Sequence, residues 1–337
     1  MTIRVIRPGL LTTVQDTGRY GYQKYGVIAS GAMDPFAHRI ANLLVGNEET
    51  AATLEMTLKG PTLEFQQDAL ISICGGDLSP TVDGVPMPMW KPVLLRKGSI
   101  LDFGRCRSGI RAYLAIAGGW NVPRVMESRS TYLRAGIGGY QGRGLQAGDE
   151  LAAGEPGWLG TRIAKRLLVQ ANATAFAAAE WGVAQELVPS YSANPTLRAM
   201  RGNQSDWFTA ESVRAFFSEP FRVTPQADRM GYRLDGSLLE LTEQKELLSE
   251  AVAFGTVQVP AEGKPIVLLA DRQTTGGYPK IAQIATIDLP LIAQSKPGDA
   301  IRFTEISREE AEWLLLEREQ EIRQLKTGIL LKHTKEG

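Results

Sequence analysis

The 337-residue sequence is poor in the side chains that most often bind metals, holding two cysteines, Cys74 and Cys106, and two histidines, His38 and His333. Neither pair has the spacing of a zinc site or of a disulfide framework, so free thiols in a reducing compartment and no metal site are expected. A charge excess is also missing. Lys plus Arg number 37 and Asp plus Glu number 37, which leaves no strongly basic face of the kind nucleic-acid binding needs. No run reaches the roughly 18 apolar residues of a membrane-spanning helix. The stretch Met1–Gly9 has neither the apolar core nor the cleavage site of a signal peptide. A cytoplasmic protein that engages neither membrane nor nucleic acid is therefore expected. Several motifs are absent too: no Gly-x-x-x-x-Gly-Lys-Ser/Thr loop, no Gly-x-Gly-x-x-Gly after a first strand and no Gly-x-Ser-x-Gly elbow. With so few histidines a Ser-His-Asp triad is disfavoured.

What is abundant is glycine, at 35, with 18 prolines. These punctuate short apolar segments such as 62–65, 69–74, 100–103 and 111–117, each bounded by turn formers, and turns about ten residues apart predict a mainly β sandwich or barrel. Three helices interrupt the pattern. One follows the N-cap Asp34, starts at Pro35, carries Ile40, Leu43 and Leu44, and stops at Gly46. A second starts at Thr209, carries Val213, Phe216 and Phe217, and ends before Pro220. A third opens with Ser307 and Glu310 spaced as a capping box and is expected over 307–327, leaving a tail at 328–337. Residues 109–149 and 263–299 share an order of apolar strand, paired Ser/Thr residues, Gly-Gly-Tyr and Gly-Asp. That order predicts two copies of one β unit with a junction near residues 150–195, written as subdomains 1–155 and 156–306.

Three polar, glycine-rich segments break the strand pattern. In the first, 12–21 continuing to Ser30 and Asp34, Asp16 and Arg19 could pair, while Asp34 also reads as a plain helix cap. In the second, Asp228-Arg-Met-Gly-Tyr-Arg-Leu234, Arg229 and Arg233 offer permanently charged planar donors for carboxylate or phosphate, or bridge to Asp228 and Asp235 as surface ion pairs. The third runs from Gly255 through Gln258 and, after the apolar strand 265–270, into Asp271, Arg272 and Gln273. Thr274, Thr275, Gly276 and Gly277 can form a backbone anion nest, flanked by Tyr278 and Lys280. A structural ion pair with a Gly-Gly turn is the plainer reading of the same residues.

These motifs, with Gly9-Leu-Leu-Thr-Thr-Val-Gln-Asp-Thr-Gly-Arg19, Leu54-Glu55, Gly75-Gly-Asp-Leu78, Ser128-Arg-Ser-Thr131 and Lys296-Pro-Gly-Asp299, resemble the KipA family of 5-oxoprolinase C-type subunits over nearly the whole chain to about residue 305. The family is also described as allophanate hydrolase subunit 2, or the biotin-dependent carboxyltransferase family. The resemblance implies a mainly β fold of two related cyclophilin-like barrels with a C-terminal helix. It also implies one component of an ATP-dependent 5-oxoprolinase, which opens 5-oxoproline to glutamate. Its implied partners are a small KipI-type, or B-type, subunit, together with a lactam-utilisation-type protein as the A-type subunit. ATP with Mg²⁺ is then the cofactor, on the complex if not on this chain.

On that reading Asp271, Arg272 and Gln273 are catalytic candidates, with Asp271 holding Mg²⁺ or orienting Arg272. Gln258 and Gln273 bond the lactam. Arg229, Arg233, Thr274, Thr275, Gly276, Gly277, Tyr278, Lys280, Ser30 and Asp34 bind substrate or phosphate. Two further roles are compatible with the resemblance: antagonist of a KipI-type histidine-kinase inhibitor, and carboxyltransferase component of a biotin-dependent urea or allophanate system. The chain lacks a Met-Lys-Met biotinylation motif, so no biotin is expected on it. One position departs from the family pattern: Glu127 stands before Ser128 where glycine is usual.

Overall fold

The computed structural model describes residues 2–170, 176–243 and 245–334. The chain is mainly β and forms two compact units. The first comprises Met1–Arg19, Ser30–Pro189 and Gln320–Gly337; the second comprises Tyr20–Ala29 and Ser190–Glu319.

The first unit holds two six-stranded sheets. One runs in the order Glu150–Ala152, Thr2–Arg7, Thr62–Phe65, Ile100–Phe103, Pro80–Val82, Val85–Pro86. The other runs Phe176–Ala178, Val93–Leu95, Ala69–Asp77, Ser108–Ile116, Thr53–Thr57, Leu11–Gln15. Their inward residues, among them Ile3, Val5, Leu63 and Leu101 from the first and Leu54, Met56, Ile73 and Leu114 from the second, build one apolar cluster. Helix α1, Pro35–Leu44, lies against the strands Ala69–Asp77 and Ser108–Ile116. Those strands are covered on both faces, which is why they read as unbroken apolar runs rather than alternating ones. The Asp34 carboxylate accepts from Ala37 N at 2.9 Å, the expected cap. Helix α2, Trp158–Gln170, was not legible in the sequence. Its only preceding signals, Pro156 and Gly157, resemble the chain's many turns, and it forms by packing on Ala69–Asp77 and Val93–Leu95.

The second unit is built on a closed seven-stranded barrel, in the order Thr196–Arg201, Lys280–Ile284, Thr256–Gln258, Ile266–Leu268, Gly231–Asp235, Phe221–Ala227, Ala300–Glu305. The neighbours are antiparallel except the closing pair, where Leu197 meets Phe303 in parallel register. Helix α3, Ala210–Ser218, begins at its cap Thr209 as expected and lays Phe216 on Phe303 with ring centroids 4.4 Å apart. Helix α4, Leu289–Ala293, is short. Helix α5, Arg308–Thr334, starts with Glu310 N donating to Ser307 Oγ at 3.0 Å. It runs past Gly328, where the sequence stops it. A mid-helix glycine costs about 1 kcal/mol, and the buried stripe Ile322, Ile329 and His333 continues beyond it. Residues 335–337 of the expected tail lie outside the described residues. Both cysteines are free, Cys74 buried and Cys106 partly so. Among the described residues no helix is long and apolar enough to cross a membrane.

Candidate functional site

The barrel strand Ile266–Leu268 ends in a loop pinned to the segment before Gly231–Asp235: Leu269 N donates to Met230 O and Asp271 N to Arg229 O. This pinning carries Asp271 to Arg229, whose Nε and Nη2 donate to the two carboxylate oxygens at 2.9 and 3.1 Å. Both carboxylate oxygens of Asp271 thus accept from Arg229, while the hydrogen bonds of Arg272 go to backbone carbonyls instead.

The neighbouring residue behaves differently. Arg272 is half-buried, its Nε donating to Val252 O at 3.2 Å and its Nη1 to Leu269 O at 3.3 Å, with the guanidinium 5.9 Å from the Phe254 ring centroid. Among the described residues it has no carboxylate partner. Burial pulls its pKa below the ordinary arginine value, against an opposing electrostatic contribution from Tyr20. The excursion Tyr20–Ala29, distant in sequence, clusters with the second unit.

The rest of the loop is extended rather than nested. Thr275–Gly276 is a two-residue strand paired with Glu250–Ala251, in register Glu250 with Gly276. Thr275 and Gly276 are thus extended and strand-paired, within the stretch Thr274–Gly277 where a backbone anion nest was expected. Gly276 lies against the Gln258 amide, where an added Cβ would sit 2.3 Å from Nε2. Gln258 is buried and donates to Tyr278 O at 3.4 Å. Gln273 and Thr275 are exposed, Thr274 and Gly277 half-buried. Tyr278 is half-exposed at the edge of a cavity of about 860 Å³ lined also by Leu238, Leu241, Leu247, Pro260 and Pro279. Lys280 is buried and its Nζ donates to Glu250 at 2.8 Å. Glu250 was not anticipated; its carboxylate is held below the ordinary pKa by that hydrogen bond. Arg233 does not join the others. It alternates with buried Tyr232 and Leu234, so on a barrel strand it faces outward into solvent.

The first unit contains a separate polar core. Asp34 and Ser30 are buried, Ser30 with the left-handed φ of 54°. Glu55 Oε2 accepts from Met33 N and from the Tyr113 hydroxyl, each at 2.8 Å, while Asp34 N donates to Tyr113 at 2.8 Å. Asp16 is gripped by Ser128 Oγ at 2.8 Å, Ser130 Oγ at 2.6 Å, Arg129 N at 2.6 Å and Gly18 N at 2.9 Å. Burial opposes ionisation of Asp16, yet these hydrogen bonds outweigh it and hold the pKa below the ordinary aspartate value. Glu55 and Tyr113 were missed as site candidates. Their signal was a carboxylate or phenol inside an otherwise apolar strand.

Residues 25–305 match the family described as "Carboxyltransferase domain, subdomain A and B". The chain belongs to that family. Among relatives of this carboxyltransferase-domain chain, the C-type subunit of 5-oxoprolinase from Escherichia coli is 41% identical over 309 residues, covering 92% of this chain and 93% of that protein. The Haemophilus influenzae protein of the same name is 38% identical, over 89% of each. Urea amidolyase of Saccharomyces cerevisiae is 33% identical over 91% of this chain but only 17% of its own length. The crystal structure of K. lactis urea amidolyase superposes with a TM-score of 0.86 at 29% identity, covering 96% of this chain and 20% of that one. The chain thus corresponds to a fifth of that larger protein. Among the described residues, no group of three or more His, Cys, Asp or Glu side chains is arranged to hold a metal ion.

Proposed function

We propose that this chain is the C-type subunit of a cytoplasmic, ATP-dependent 5-oxoprolinase, working with a small B-type and a separate A-type subunit. The observation that carries the reading is the match to two proteins named as the C-type component of 5-oxoprolinase, over 92% of this chain and 93% of that protein for the first. In urea amidolyase the matching region is a minor part of a longer chain.

Opening a lactam requires activating a stable amide and stabilising the oxyanion that develops on its carbonyl. On this chain the group suited to that work is Arg272. It is a half-buried cation oriented by two carbonyls and an aromatic face, with no carboxylate quenching it. Lys280 and Gln258 supply further donors from neighbouring strands. In this reading ATP with Mg²⁺ is handled by the assembled complex. Reconstituting the three components and measuring glutamate formation from 5-oxoproline and ATP, with each omitted in turn, tests the proposal. Full turnover without this chain sinks it.

The family match also favours a second reading, carboxyl transfer with a biotin carried elsewhere. Avidin-sensitive carboxylation by the assembled complex would establish it; avidin-insensitive turnover would dismiss it.

A further inference from the structure

We infer that Glu250, with Gln204, positions the Lys280 ammonium to receive a carboxylate or amide oxygen of a small-molecule ligand, an inference whose kinetic arm rests on the 5-oxoprolinase reading. Lys280 opens the barrel strand Lys280–Ile284 with its side chain only 9% exposed, and Glu250 is its ammonium's one ion-pair partner among the described residues, at 2.8 Å. An ammonium has three N–H donors, so one carboxylate leaves two for a ligand in a place where water is scarce.

The source of the anion is informative. Glu250 sits on the two-residue strand paired with Thr275–Gly276, so the carboxylate and the polar loop are parts of one small sheet. The Gln204 side chain accepts from Lys280 N at 3.3 Å. Gly202 permits this approach: a Cβ there would meet Lys280 O at 2.2 Å. Backbone and ammonium of Lys280 are thereby fixed by one pair of side chains. Glu250 is itself 46% exposed, and an ion pair with an exposed partner adds little stability. The consequence of the arrangement is directional, aiming the ammonium.

The test uses Glu250→Gln and Glu250→Asp in the assembled complex. Glu250→Gln is expected to raise KM for 5-oxoproline at least tenfold with kcat within threefold, and Glu250→Asp to recover most of the loss. In parallel, acetylation of lysines by N-hydroxysuccinimidyl acetate, read by peptide mass spectrometry, should quicken at least fivefold at Lys280 in Glu250→Gln while Lys264 and Lys296 stay unchanged. A KM within twofold of wild type, or a fall in kcat alone, overturns the inference. If the wild-type complex opens no 5-oxoproline, the functional reading falls and the labelling decides alone: a selective rise at Lys280 upholds the positioning role, and an unchanged rate overturns it.

Discussion

Asp271 and Arg229 neutralise each other in a two-point ion pair whose side chains are 8% and 6% exposed, one residue away from an arginine with no acidic partner among the described residues. Adjacent positions in one loop therefore do opposite things. One cation is spent on structure and the other is left for chemistry.

Removing half of a buried pair strands the other charge. Asp271→Asn is expected to destabilise the chain by about 3–5 kcal/mol, measured by urea denaturation. Replacing both partners, Arg229→Met with Asp271→Leu, should recover much of that loss. If Asp271→Asn is neutral, the pair is not the structural element described here.

Arg272→Ala is expected to lower kcat/KM of the assembled complex by about 100-fold, the scale of losing a donor aimed at developing charge. Its cost in stability should be smaller than that of Asp271→Asn. Arg272→Lys should not restore activity, because a single ammonium nitrogen cannot reproduce the planar fork whose separate Nε and Nη1 meet Val252 O and Leu269 O. Steady-state kinetics beside melting curves of the same variants separate the two effects.

The departure at Glu127 has a structural cost. Val125 and Ser128 exchange backbone hydrogen bonds around Met126 and Glu127, whose φ values are 51° and 64°. Two successive left-handed residues make the kind of turn that favours glycine. Glu127→Gly should stabilise the chain by roughly 1 kcal/mol by relieving that conformation, visible as a higher denaturation midpoint. A lower midpoint would refute the strain.

His38 is fully buried, and burial lowers its pKa to about 4 from 6.5. The unfolded chain then binds a proton that the folded chain refuses between those values. Stability from this source is complete above pH 6.5 and falls as the pH drops toward 4, by at most about 1.4 kcal/mol per pH unit. Urea titrations across that window should show a shallower slope in His38→Gln than in wild type.

Local signals were enough for much of this molecule. Asp34, Thr209 and Ser307 announce their helices because a cap is satisfied within three residues of itself. The Asp271–Lys280 stretch announced itself as polar density leaving a buried strand. Arg233 stands apart from its motif neighbour Arg229 because Arg229 lies in a bend, where the two-residue alternation that sends Arg233 outward does not operate. Helix α2 and the extension of α5 were missed because both depend on faces supplied by distant strands or helices.

The sequence by itself determined the mainly β class, the main helix starts and the chemical character of the polar loop, all properties of short stretches of chain. Only the tertiary structure decided which charges are free. Asp271 meets Arg229 across 42 residues, Lys280 meets Glu250 across 30, and Glu55 meets Tyr113 across 58. Whether a buried cation is quenched or available depends on which carboxylate arrives within hydrogen-bonding distance, and that is set by sheet register and barrel closure.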